Sequence, residues 1–157
     1  MFASKVPLRL SKDPPPQQRT PAGRIEEPDT QPITKVRILI VEDEFLVAMT
    51  LEHELSESGY EIAGVAGSAD AAAEMAHRER PAFILMDIRL AGARDGIDAA
   101  LQIFSETGIR CLFATANADE TSRKRAALAR PLGWLQKPYH HAALISAISE
   151  AIKALSQ

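Results

Sequence analysis

Cysteine occurs once in this sequence, at Cys111, so no internal disulfide can form and the fold must stand on its core. That cysteine lies between Arg110 and Leu112 in an apolar run and reads as a small buried hydrophobe. An excess of one charge is lacking too: 18 Lys and Arg stand against 21 Asp and Glu, a formal net charge of -3. Such a balance offers no electrostatic attraction to nucleic acid, and direct DNA binding is not expected. No apolar run reaches the length of a signal-peptide core or of a membrane span. A cytoplasmic protein without membrane contact is the expectation. No internal repeat is evident. What is present suits one ordinary domain: 157 residues, 46% of them hydrophobic, enough for a sizeable core.

Proline is distributed unevenly. Pro7, Pro14, Pro15, Pro16, Pro21, Pro28 and Pro32 all fall within residues 1–35. Large apolar residues there are scattered and without period. Such a segment buries too little surface to offset its ordering entropy, and it is expected to be a disordered, solvated tail.

From Val36 onward, short apolar runs alternate with helical patterns. Val36 to Val41 (VRILIV) is β-branched and too short for a helix. Val47, Leu51 and Leu55 stripe a helix over Asp43 to Ser58, and Gly59 stops it. Tyr60 to Ala66 is a second strand, and Ser68 caps an Ala-rich helix running to about Glu79. Ala82 to Met86 is a third strand, Gly92 to Gly96 a loop, and Ile97, Leu101 and Phe104 carry the third helix. Arg110 to Thr115 is the fourth strand. Asn117, with Glu120 three residues on, predicts the start of a fourth helix. Leu132 to Gln136 is the fifth strand, and Leu144, Ile148, Ile152 and Leu155 stripe a terminal helix. Alternation of this kind predicts an α/β fold whose parallel sheet is covered on both faces. Right-handed crossovers make the doubly wound, flavodoxin-like order 2-1-3-4-5 the simplest arrangement.

In that fold the working crevice lies at the carboxyl ends of the strands. Strand one ends in Glu42-Asp43, strand three in Asp87, strand four in Thr115 and strand five in Lys137-Pro138. Three carboxylates brought together repel and call for a cation. Oxygen donors without His or Cys suit Mg²⁺. Lys137 is the natural partner for whichever carboxylate the metal leaves. No His stands there as a general base. A carboxylate nucleophile, a metal, a hydroxyl and an ammonium make a phosphoryl-transfer set. Each residue taken singly has a plainer reading. Asp87 alone would be a turn or capping residue, Glu42-Asp43 would suit a helix N-terminus, and Thr115 and Lys137 would be unremarked.

Together, VEDE at strand one, LMDIRLAG around Asp87, DGIDAA before the third helix, FAT at strand four and LQKPY at strand five resemble a response regulator receiver domain. The resemblance spans Val36 to about Leu155, so residues 36–157 are the expected receiver domain. It implies a phosphoryl group accepted on Asp87 from a sensor histidine kinase or a phosphotransfer protein. It implies Mg²⁺ held by Glu42, Asp43, Asp87 and the backbone carbonyl of Arg89. Thr115 and Lys137 would bind phosphoryl oxygens, and the Lys137-Pro138 peptide would be cis. The expected function is that of a stand-alone response regulator, a phosphorylation-controlled binding switch or phosphoryl shuttle with a downstream protein target. No activity beyond its own phosphorylation and dephosphorylation is expected. FATAN also resembles a subgroup of single-domain receivers with a Phe-Ala-Thr motif, several of them linked to atypical sensor kinases of alphaproteobacteria. There, Gly and an aromatic tend to stand where this chain has Ala116-Asn117.

Two features depart from the family pattern. Trp134 occupies the switch position usually held by Tyr or Phe; a larger ring whose N–H wants a partner argues against a simple inward swing and for packing in the core. The fourth helix has only Leu128 as a large apolar residue, so it is expected to be held loosely and to change its order on activation. Arg123-Lys124-Arg125 reads as a solvated helix face. His53, His77, His140 and His141 read as surface residues. Arg89 is a candidate shield of the phosphoryl group against water. Two rivals share the crevice. A metal-dependent phosphohydrolase would want an acid where Arg89 stands. A flavin binder would want a phosphate-cradling loop where Glu42-Asp43-Glu44 stands.

Overall fold

The computed structural model describes residues 33–157, and the expected proline-rich tail lies almost wholly outside them. Five strands, β1 (Arg37–Val41), β2 (Glu61–Ala66), β3 (Phe83–Asp87), β4 (Cys111–Thr115) and β5 (Gly133–Gln136), alternate with five helices. These are α1 (Phe45–Glu57), α2 (Ala69–Glu79), α3 (Gly96–Thr107), α4 (Glu120–Ala126) and α5 (His141–Leu155). All strand pairings are parallel, in the order β2-β1-β3-β4-β5, as the alternation predicted.

The period of two divides the core between the two faces of the sheet. Leu39, Ile84, Met86 and Phe113 pack on the side that carries α2 and α3. Ile38, Ile40, Leu85 and Leu112 pack on the side that carries α1 and α5. β3 and β4 are buried along their whole length, which is why they read as continuous apolar runs. No helix among the described residues is long and apolar enough to cross a membrane.

Local chemistry sets the helix ends. Ser68 accepts from the Ala71 N–H at the start of α2, as its position predicted. Gly59, at φ +93°, follows α1 in the left-handed region. Asp95 and Asp98 form a capping box at the start of α3. The start of α4 differs from expectation. Its N-cap is Asp119, which accepts from the Ser122 N–H. Asn117 is drawn instead into a turn with the Thr115 hydroxyl, which both receives its N–H and donates to its carbonyl. The helix therefore starts two residues later than its other capping residue would have set it.

Candidate functional site

The carboxyl ends of β1, β3, β4 and β5 bring the expected residues to one rim. Glu42 and Asp43 follow β1, Asp87 and Thr115 are the last residues of β3 and β4, and Lys137 follows β5. Glu42, Asp87 and Thr115 are the buried polar residues among the described part of the chain, whereas Asp43 is exposed. One oxygen from each of Glu42, Asp43 and Asp87 lies within 4.8 Å of the others.

Lys137 neutralises the inner part of this cluster. Its Nζ stands 3.3 Å from Glu42 Oε2 and 3.4 Å from Asp87 Oδ1, bridging two carboxylates. The other Glu42 oxygen accepts from the Glu44 N–H at 3.1 Å, just ahead of α1. Asp87 Oδ1 also accepts from the Arg89 N–H at 3.3 Å, which ties the following turn to the carboxylate. Asp43 Oδ2 accepts from the Ala91 N–H at 3.0 Å, joining the β1 end to the β3-α3 loop. Burial pushes the Glu42 carboxyl above its ordinary range; the Glu44 N–H and Lys137 oppose that shift, and the Asp87 charge adds to it. Three oxygens with no nitrogen or sulfur donor fit a hard cation such as Mg²⁺. Arg89 is exposed, and its backbone carbonyl belongs to the same turn.

Two further expected positions lie along the chain at and before Lys137. The Lys137-Pro138 peptide is cis. Trp134 lies within β5, away from the carboxylates, in register with Phe113 on β4. The two rings stack with centroids 4.8 Å apart and 24° between their planes. Trp134 is thus packed on the α2-α3 side of the sheet, and Arg123 lies over its ring.

Sequence reasoning missed three parts of the site. The first is Gly96. A Cβ there would stand 2.0 Å from the Asp87 carbonyl oxygen, so α3 begins directly against the backbone of Asp87. Its only trace in the sequence is the Asp-Gly pair before a helical pattern. The second is Tyr139, half-buried beside the rim. Burial pushes its hydroxyl up to about 12, and the carboxylates of Glu42, Glu54 and Asp87 add to the shift. The third is a groove of about 630 Å³ between α1 and the β5-α5 loop, lined by Leu46, Val47, Leu51, Tyr139 and, at its rim end, Lys137. Leu46 is exposed within it, and Phe45 and Met49 are exposed elsewhere on α1, all off the buried stripe that periodicity identified. His140 has a local role, accepting from the Ala143 N–H as the N-cap of α5.

The basic run on α4 is exposed, as its composition predicted, yet it also makes contacts beyond its own helix. Arg125 pairs with Asp95 and Asp98, and only Lys124 stays within its own helix, with Glu120.

The comparisons agree with this geometry. The sequence model of the response regulator receiver domain matches residues 38–149. The transcriptional regulatory protein PdtaR of Mycobacterium tuberculosis is 40% identical over 116 residues, which cover 74% of this chain and 56% of PdtaR. The chain thus spans little more than half the length of that relative. The chemotaxis protein CheY of Halobacterium salinarum is 32% identical over 120 residues, covering 75% of this chain and 98% of CheY. Among solved structures, the signal receiver domain of a modulated diguanylate cyclase from Desulfovibrio desulfuricans G20 superposes with a TM-score of 0.69 at 34% identity. That match covers 76% of this chain and 95% of the other. Parallel β-α order, the acidic rim at its switch point and the match across the whole sheet agree, and this chain belongs to the response regulator receiver family of two-component signalling.

Proposed function

We propose that Asp87 accepts a phosphoryl group from a phosphohistidine on a sensor kinase or phosphotransfer protein, and that the domain then acts as a phosphorylation-controlled binding switch or phosphoryl shuttle. The observation that carries this reading is the Asp87 carboxylate itself. It is buried at the crevice, paired with Lys137, and within 4.8 Å of oxygens from Glu42 and Asp43. In the reaction, one Asp87 oxygen forms a bond to phosphorus as the P–N bond of the donor breaks. The bonding electron pair passes to the imidazole nitrogen, which takes a proton from solvent. An ionised carboxylate needs no general base, which accords with a rim that has none.

Glu42, Asp43, Asp87 and the Arg89 carbonyl would hold Mg²⁺, which when bound offsets charge on the phosphoryl oxygens. Lys137, now paired with carboxylates, would move to a phosphoryl oxygen, and Thr115 would turn its hydroxyl from Asn117 to another. No second substrate is assigned. The donor docks in the groove beside Lys137, where Leu46, Val47 and Leu51 offer apolar surface to a partner helix.

The test is intact mass after incubation with Mg²⁺ and acetyl phosphate, for wild type and Asp87→Asn. Gain of one phosphoryl group by the wild type alone is expected; equal gain by both would show that Asp87 is not the acceptor. Leu46→Asp is expected to slow transfer from the kinase while leaving uptake from acetyl phosphate unchanged. Unimpaired transfer from the kinase would remove the docking assignment.

A further inference from the structure

Charge is spread unevenly along the chain. Residues 38–77 hold nine Asp and Glu and no Lys or Arg, although the chain as a whole is nearly balanced. Part of this excess serves the rim. Another part stands on α1 and its N-cap, as Glu44, Glu52, Glu54 and Glu57. Among the described residues none of these four pairs with Lys or Arg; Glu54 has His141 beside it, Nδ1 to Oε1 at 3.8 Å. Elsewhere carboxylates are matched within the fold, Asp70 by Arg94, Asp95 by Arg125 and Glu120 by Lys124.

These carboxylates also act against their own helix. Glu54 and Glu57 stand in the last turn of α1, at the negative end of its dipole, and no base accompanies them. In that turn α2, α4 and α5 carry His, Lys or Arg, as the dipole favours. Glu44 is the N-cap residue of α1, yet its side chain makes no capping bond. Glu44 and Glu54 both border the groove beside Lys137, with Leu46, Val47 and Leu51 between them in the chain. Helix of that length spans about 15 Å. Lys137, the cation that lines the groove, is already held by Glu42 and Asp87. The groove is thus an apolar strip with an unmatched carboxylate toward each end.

We propose that the groove selects a basic helix of the phosphodonor, with Lys or Arg about three turns apart to reach Glu44 and Glu54 and apolar residues between them to cover Leu46, Val47 and Leu51. This inference rests on the groove as the donor's docking site and names the chemistry of the helix that fits it. Charge at the margin of an interface acts chiefly on encounter rate and on the choice of partner. A donor with an acidic docking helix is therefore repelled. A second copy of this chain is repelled as well, because the same face would set carboxylate against carboxylate.

The probes are three synthetic helical peptides that share one leucine stripe and carry Lys, Gln or Glu at two positions about three turns apart. Binding of each dye-labelled peptide to the full chain is read by fluorescence anisotropy. In about 0.05 M salt the Lys peptide is expected to bind at least about tenfold more tightly than the Gln peptide, and the Glu peptide more weakly than either. Raising the salt to about 0.5 M is expected to remove most of that preference. The double variant Glu44→Lys, Glu54→Lys is expected to reverse the order, so that the Glu peptide binds best, a result that misfolding cannot produce. Glu74→Lys makes the same kind of charge change on α2, on the other face of the sheet, and is expected to leave the order unaltered. A Lys peptide bound no more tightly than the Gln peptide overturns the inference, as does an order that the double variant leaves unaltered. If Leu46→Asp still abolishes binding of the peptides in either case, the groove stands as a docking site and its charge preference alone falls. A wild-type dimer in sedimentation that Leu46→Asp disperses also overturns the inference, because a second copy would then cover the groove. Mass after acetyl phosphate reports on Asp87 independently of every peptide result.

Discussion

Replacing Gly96 by alanine sets two effects of opposite sign against each other. Alanine is the better helix former by up to about 1 kcal/mol. On that ground alone Gly96→Ala at the start of α3 would stabilise the protein. The structure predicts the reverse. The added methyl carbon would lie 2.0 Å from the Asp87 carbonyl oxygen, 2.9 Å from its carbonyl carbon and 3.0 Å from Ile88 Cα. Carbon–oxygen contacts settle at about 3.3–3.6 Å, so α3 or the end of β3 must move by more than about 1 Å. All three obstructing atoms are backbone, and no rotamer change relieves them. Overpacking of this kind costs about 1–3 kcal/mol, and a backbone clash belongs at the upper end. The net loss is about 2 kcal/mol, a large share of the roughly 5–15 kcal/mol that holds a domain together. Urea unfolding followed by far-UV circular dichroism reads it directly as a lower midpoint with unchanged slope. Because the displaced atoms belong to Asp87, uptake from acetyl phosphate should slow as well. A midpoint equal to or above that of the wild type would show that the close approach does not exist.

Phe113 is fully buried and stacked on Trp134, so Phe113→Ala should cost about 3–5 kcal/mol; a loss below about 1 kcal/mol in urea unfolding would show that the site collapses. Burial raises the carboxyl of Asp95, but Arg125 and the Asp98 N–H outweigh it and hold the group below its ordinary range. Its contribution to stability is therefore present above the unfolded carboxylate range and lost as pH falls through the lower folded value; Asp95→Asn should flatten the acid limb of a stability–pH curve, and an unaltered limb would refute the pairing. Cys111 is buried and its thiol is raised by that burial, so a thiol reagent should label it only after unfolding; prompt labelling of the native protein would contradict the packing of β4.

The chain's periodicities were enough to locate the fold and most of the rim. Strands and helices alternate strictly, and right-handed crossovers leave one simple order for five units. Residues that end apolar runs must then share an edge, which is how Glu42, Asp43, Asp87, Thr115 and Lys137 were identified. Capping was legible where one candidate stood alone, as with Ser68, and failed where Asn117 and Asp119 competed. Only tertiary structure resolved that choice, because the Thr115 hydroxyl already held Asn117. Side-chain pairing across elements left no periodic trace either. Arg125 and Asp95 meet across 30 residues of chain, and a run of three basic residues looks the same whether it faces water or grips a neighbour. Gly96 shows the same limit from the other side: what makes glycine necessary at the start of α3 is the Asp87 carbonyl at the end of β3. Local sequence sets period and propensity, which act over a few residues, whereas contacts between distant atoms exist only once the sheet has brought them together.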